Sequence, residues 1–152
     1  MARHHSRRQA LQLLYQWDLR QDLREESLDG ILRGYYDSLL VSEENPTKPR
    51  RDSFAEALFS GTVREIDSID ARITRHAEHW KLQRMPAVDR NILRLAAFEM
   101  LNTETPPAVA IDEALELARK FSGEESVHFV NGVLDAIRRE IGNPATSKPA
   151  AP

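Results

Sequence analysis

Residues 86–102 read "PAVDRNILRLAAFEMLN", and the fold class follows from how this stretch is patterned. Wound as a helix, Val88, Ile92, Leu95 and Ala96 make one apolar face, and Leu93, Ala97, Met100 and Leu101 make another. Only Arg90, Asn91 and Arg94 cluster as a polar strip. A helix apolar over most of its circumference belongs at the centre of its domain. Pro86 stands at its start, where a missing N–H costs little. Glu99 falls among Val88, Ile92 and Leu95, in the middle of an apolar face. A lone buried carboxylate costs several kcal/mol, so it must be paired or hydrogen-bonded. It is either a catalytic acid or a structural carboxylate bonded to an arginine or to free N–H groups of a neighbouring helix. The structural role is preferred, because no second catalytic group is spaced to work with it.

Helical spacing continues on both sides, and no strand-like alternation of useful length interrupts it. A first helix is expected over about 3–20, with Leu11, Leu14 and Asp18 on one row and Ala10, Leu13 and Trp17 beside it. A second covers about 27–41, and "SEENPTKPRR" (42–51), with Pro46 and Pro49, is a polar connector. A third starts near Asp52 and steps through Phe54, Leu58 and Thr62. A fourth covers about 65–79, through Ile66, Ile69 and Ile73. Pro106 and Pro107 close the central helix and introduce a sixth, "AVAIDEALELARKF", which Gly123 stops. The seventh, "EESVHFVNGVLDAIRREI", carries the stripe Val127, Val130, Leu134, Ile137 and Ile141. Glycine within a helix costs about 1 kcal/mol, so Gly132 is expected to admit the close approach of another backbone. Phe129 lies on that side, either packed in the junction or partly exposed as a stacking ring; spacing favours packing. The pattern is an all-α bundle of about seven helices, one domain over 1–142, with a low-complexity, disordered tail over 143–152.

The 152 residues include 24 acids against 21 lysines and arginines, a formal net charge of −3. There is no cysteine, which excludes disulfides and cysteine-ligated metals and fits a reducing cytosol. The longest apolar runs, such as "LAAF" at 95–98, are too short to cross a bilayer, so no membrane partner is expected. Gln12, Gln16 and Asp18 interrupt what a signal peptide would need as its apolar core. Glycine-rich phosphate loops and HExxH are absent. "HAEH" sets His76 and His79 a turn apart around Glu78, which reads as a solvated helix end rather than a metal site. No catalytic residues, cofactor or metal are expected, and the chain is read as a binding protein.

Against this acidic average the chain begins "ARHHSRRQALQLLYQWDLR". Arg3, His4, His5, Arg7 and Arg8 crowd its start, and no acid precedes Asp18. A local patch of this kind attracts anions at short range. Arginines bind phosphates through charge-assisted, often bidentate hydrogen bonds. Tyr15 and Trp17 follow, and aromatics so placed can stack on unpaired bases.

"RRQALQLLYQWD" (7–18), "VDRNILRLAAFEML" (88–101), "PPAVAIDEALELARKF" (106–121) and "FVNGVLDAI" (129–137) occur in order and at fitting spacings. Through them the chain resembles the NusB family of bacterial transcription antitermination factors, from about Arg3 to Glu140. The resemblance implies seven helices in two small bundles packed across each other. It implies a non-enzymatic RNA-binding subunit, paired with a small-subunit ribosomal protein that doubles as transcription factor NusE. The pair would bind the boxA element of nascent RNA, join the elongating RNA polymerase and suppress termination, notably in ribosomal RNA operons. Some relatives self-associate as dimers.

By the same resemblance the arginine-rich arm maps onto Arg3, His4, His5 and Arg7, with histidine at two positions where many relatives carry arginine. A second RNA surface maps onto Glu125, His128 and Phe129, where the ring would stack on a base. Contact with NusE maps onto Tyr15 and Asp89. Two other readings compete. The RNA-binding domains of ribosomal RNA cytosine methyltransferases look similar, but this length leaves no room for a methyl-donor site. A helical scaffold that never touches RNA would have no need of Arg3 and Arg7.

Overall fold

A computed structural model describes residues 2–40, 51–77 and 80–142. All of the expected connector (42–51) but Arg51, the Glu78–His79 pair and the tail over 143–152 lie outside them. Among the described residues there are seven α-helices and no strand: α1 (Ala2–Leu19), α2 (Leu28–Leu40), α3 (Ser53–Arg64), α4 (Ile66–His76), α5 (Ala87–Asn102), α6 (Pro107–Phe121) and α7 (Glu124–Gly142). Short 3-10 turns at Gln21–Glu25 and Leu82–Arg84 were not legible in the sequence. No described helix is long and apolar enough to cross a membrane.

The helix ends have local causes. Asp52 caps α3, its Oδ1 accepting from the Ala55 N–H at 3.0 Å. Pro86 and Pro106 stand at the N-caps of α5 and α6. At the end of α6 the N–H groups of Ser122 and Gly123 both donate to the Ala118 carbonyl. Gly123 then takes φ = 151°, a backbone open to glycine and strained for other residues, and α7 starts at the next residue.

The helix α5 is the centre, packing against α1, α3, α4, α6 and α7. Around it, α1 packs against α3, α6 against α7, and α4 against both α3 and α7. The two apolar faces of α5 explain its central place: Ile92, Leu93, Leu95, Ala96, Ala97 and Met100 are all buried. Helix α2 joins through its tyrosines, as Tyr35 Oη donates to Gln12 on α1 and the Asp52 N–H donates to Tyr36 Oη.

The glycine that a neighbouring helix crowds is not the one the sequence suggested. A Cβ at Gly132 would meet nothing within 4 Å, so that glycine faces open space. A Cβ at Gly61 of α3 would lie 2.1 Å from Phe98 Cζ of α5, so Gly61 is the residue that lets these helices meet. Two glycines inside helices look alike in sequence; only the path of the neighbouring helix separates them.

Candidate RNA and partner surface

The basic tip is helical from Ala2, and helical geometry sorts its cations. Arg3, His5 and Arg8 are exposed, whereas Ser6 and Arg7 are buried. Arg3 lies over the Phe54 ring at 4.6 Å and Arg8 over the Phe121 ring at 5.4 Å. Such contacts order a guanidinium while its edge stays free to donate. His4 is partly exposed, and its Nδ1 sits 2.6 Å from Glu113 Oε2.

Arg7 departs from its expected role. Its Nε and Nη2 donate to the two oxygens of Glu99 at 2.8 and 2.5 Å, and the two side chains are only 6% and 2% exposed. The hydrogen bond to Glu99 holds the Arg7 guanidinium above its ordinary pKa, against the opposing effect of burial. Arg7 is the arginine that Glu99 requires, so it is not presented to phosphate. The sequence contained a signal for this: Arg7 lies four residues before Leu11 and seven before Leu14, on the buried row of α1.

Of the two expected partner residues, one is on the surface. Tyr15 is 38% exposed and lines a groove with Arg8, Leu11, Gln12, Val88 and Phe121, where α1, α5 and α6 meet. Asp89 is 4% exposed. It accepts from Ser122 Oγ at 2.7 Å and from Ser126 Oγ at 2.8 Å, clasping the start of α5 to the corner between α6 and α7. Its carboxylate is engaged in this clasp rather than open to solvent.

At the start of α7, Glu125 and His128 are exposed and Phe129 is half-buried. Phe129 meets Trp80 edge to face, with centroids 6.0 Å apart and planes at 61°. Trp80 is 54% exposed and was not singled out from sequence. Its signal was a tryptophan set among cations in "WKLQR", outside any helical stripe. Trp17 is buried at 5% with Arg24 over its ring, so it is unavailable for stacking.

The polar strip of α5 is internal. Arg90 donates to Asp18 through Nε and Nη2 at 2.8 and 2.5 Å, and Asn91 Nδ2 donates to the same oxygen at 3.0 Å. Arg94 grips Asp70 of α4 at 2.8 and 2.9 Å and approaches Asp18 at 3.2 Å. Burial works against the charge on Asp18, but the hydrogen bonds from Arg90 and Asn91 and the nearby Arg94 outweigh it and hold the carboxyl below its ordinary value. His76 engages Glu140 at 2.8 Å beside Arg75, and its supposed companion His79 is outside the described residues.

The surface therefore offers free cations at the head of α1, a half-apolar groove at Tyr15, and a pair of rings at α7. Cations and open rings suit nucleic acid, and the groove suits a protein surface. A family model described as the NusB family matches residues 4–139. Transcription antitermination protein NusB of Solibacter usitatus is 56% identical over 143 residues, 94% of this chain and 92% of that protein. Among solved structures, NusB of T. maritima aligns with a TM-score of 0.71 at 35% identity, covering 91% of each chain. A structure of antitermination factors NusB and NusE in complex with dsRNA aligns with a TM-score of 0.71 at 28% identity, covering 91% of this chain and 98% of that one.

Proposed function

The chain belongs to the NusB family, and from that premise we propose that it is a transcription antitermination factor that binds boxA-type RNA together with a NusE-like ribosomal protein. The observation that carries this is the match at 56% identity to an antitermination protein over 92% of that protein's length. A relative solved with NusE and dsRNA supports the choice of partners. Arg3, His5 and Arg8 supply sequence-independent phosphate contacts, with the partly exposed His4 beside them. The α7 surface of Glu125, His128 and Phe129 supplies contacts to bases. Tyr15 and its groove receive the NusE-like protein, while Asp89 acts by holding the corner in place.

On this reading the protein–RNA complex joins the elongating RNA polymerase in the cytoplasm. A pull-down with the cognate NusE-like protein, with and without a boxA-containing RNA, is the direct test. Co-retention of all three is the expected result; retention of neither partner would overturn the reading. The homodimer expected of some relatives is checked by sedimentation of the isolated protein across a concentration series.

A further inference from the structure

Five large apolar side chains are exposed among the described residues: Tyr15, Leu19, Trp80, Val109 and Phe121. Tyr15 and Phe121 line the groove already described, and Arg8 and Lys120 lie against the Phe121 ring. Trp80 is the most exposed of the five at 54%, and no cation lies over its ring among the described residues. Its contact with Phe129 is edge to face, which occupies at most one face of each ring.

The turn that carries Trp80 is pinned. The Trp80 N–H donates to the Ala77 carbonyl at 2.8 Å, and the Arg84 N–H to the Lys81 carbonyl at 2.9 Å. Arg90 Nη1 donates to the carbonyls of both Leu82 and Met85 at 3.2 Å, tying the turn to α5. An indole is thus held open on an ordered support, which lowers the entropy lost when a ligand lands on it. Lys81 and Arg84 are both exposed and have no carboxylate partner among the described residues. On the α7 side, Glu125 stands one turn before Phe129. Lys81 and Arg84 follow Trp80 by one and four residues, so cations that attract a phosphate share the turn that carries the indole. Unpaired nucleotides meet that pattern, since every base has a π-face and a flanking phosphate.

We propose that Trp80 and Phe129 form a stacking platform for an unpaired nucleobase of the bound RNA, flanked by Lys81 and Arg84 as phosphate contacts. This rests on the RNA-binding reading above and adds Trp80, Lys81 and Arg84 to it. The test uses the protein bound to its NusE-like partner, titrated with single-stranded boxA RNA and with the same RNA annealed to its complement. Trp80→Ala should weaken single-strand binding by about 5- to 150-fold and leave the denaturation midpoint nearly unchanged. Trp80→Phe should retain most of the affinity. Single-stranded RNA should quench tryptophan emission in the wild type and not in Trp80→Phe, where only buried Trp17 remains.

Unchanged RNA affinity in Trp80→Ala, with the wild type binding normally, would overturn the platform and leave the RNA-binding reading standing. Quenching that persists in Trp80→Phe would overturn it as well. Weaker binding of the partner protein in the absence of RNA would make Trp80 a protein contact instead. Failure of the wild-type complex to bind either RNA would overturn both readings.

Discussion

Arg7 and Glu99 are each other's counter-charge in a site nearly closed to water. Removing one partner of such a pair leaves the other charged and uncompensated. Arg7→Ala is therefore expected to cost about 3–5 kcal/mol of stability, read as a lower denaturation midpoint. Replacing both by methionine should recover much of that loss, because the desolvation of two charges disappears with the pair. RNA affinity per folded molecule should not change in either variant. Gly61 gives a second prediction at this scale. A methyl group there collides with the tip of the Phe98 ring, and Phe98 is only partly buried, so the ring has some room to move. Gly61→Ala should cost about 1–3 kcal/mol in chemical denaturation, and adding Phe98→Leu should restore part of it.

The first two turns of α1 act as one element that divides its cations between solvent and core. Each phosphate contact on a single strand contributes about −0.7 to the slope of log affinity against log salt. With Arg3 and Arg8 outside and Arg7 inside, the double variant Arg3→Ala/Arg8→Ala should flatten that slope by about 1.4. An equal flattening by Arg7→Ala, measured per folded molecule, would return Arg7 to the RNA surface. At the other end of α5, Asp89 joins three helix ends through two serine hydroxyls. Hydrogen bonds to a charged group contribute about 1.5–3 kcal/mol, so Asp89→Lys should loosen the α6–α7 corner. Faster amide exchange there and a lower midpoint, at normal partner affinity per folded molecule, would mark a clasp. Lost partner affinity at an unchanged midpoint would mark a direct contact.

Across the whole molecule, ion pairs tie separate helices together. Asp18 links α1 to α5, Arg94 links α5 to α4, and Glu140 links α7 to α4. Burial disfavours the charged form of Glu140, but the hydrogen bond to His76 and the charges of Arg75 and Arg72 hold it below its ordinary 4.5. Asp18 is likewise held below its ordinary 3.8. For a depressed carboxyl, the unfolded chain takes up its proton first as pH falls. The stabilisation is complete above the unfolded value and is lost as pH drops through the lower folded one. Melting temperature should therefore hold from about pH 7 to about pH 5 and fall steeply below about pH 4. Asp18→Asn should melt lower at neutral pH and show a shallower acid limb. Acid limbs of equal steepness would remove Asp18 from the account.

Helix number, the central position of α5, the burial of Glu99 and the stop at Gly123 were all legible in the sequence. Periodicity and helix-end chemistry are local, so one chain carries them in full. The sequence also showed that Glu99 needed a partner, but not that Arg7, 92 residues away, would be that partner. Local spacing likewise could not tell an internal polar strip on α5 from a solvated one, or Gly61 from Gly132. Nor could it show that Asp89 faces two serines and that Trp80 stands open beside Phe129. Each of these depends on which helix crosses which, at what depth and in what register. Those quantities are fixed only when distant segments pack, and packing decides which charges are paired inside and which remain outside for RNA.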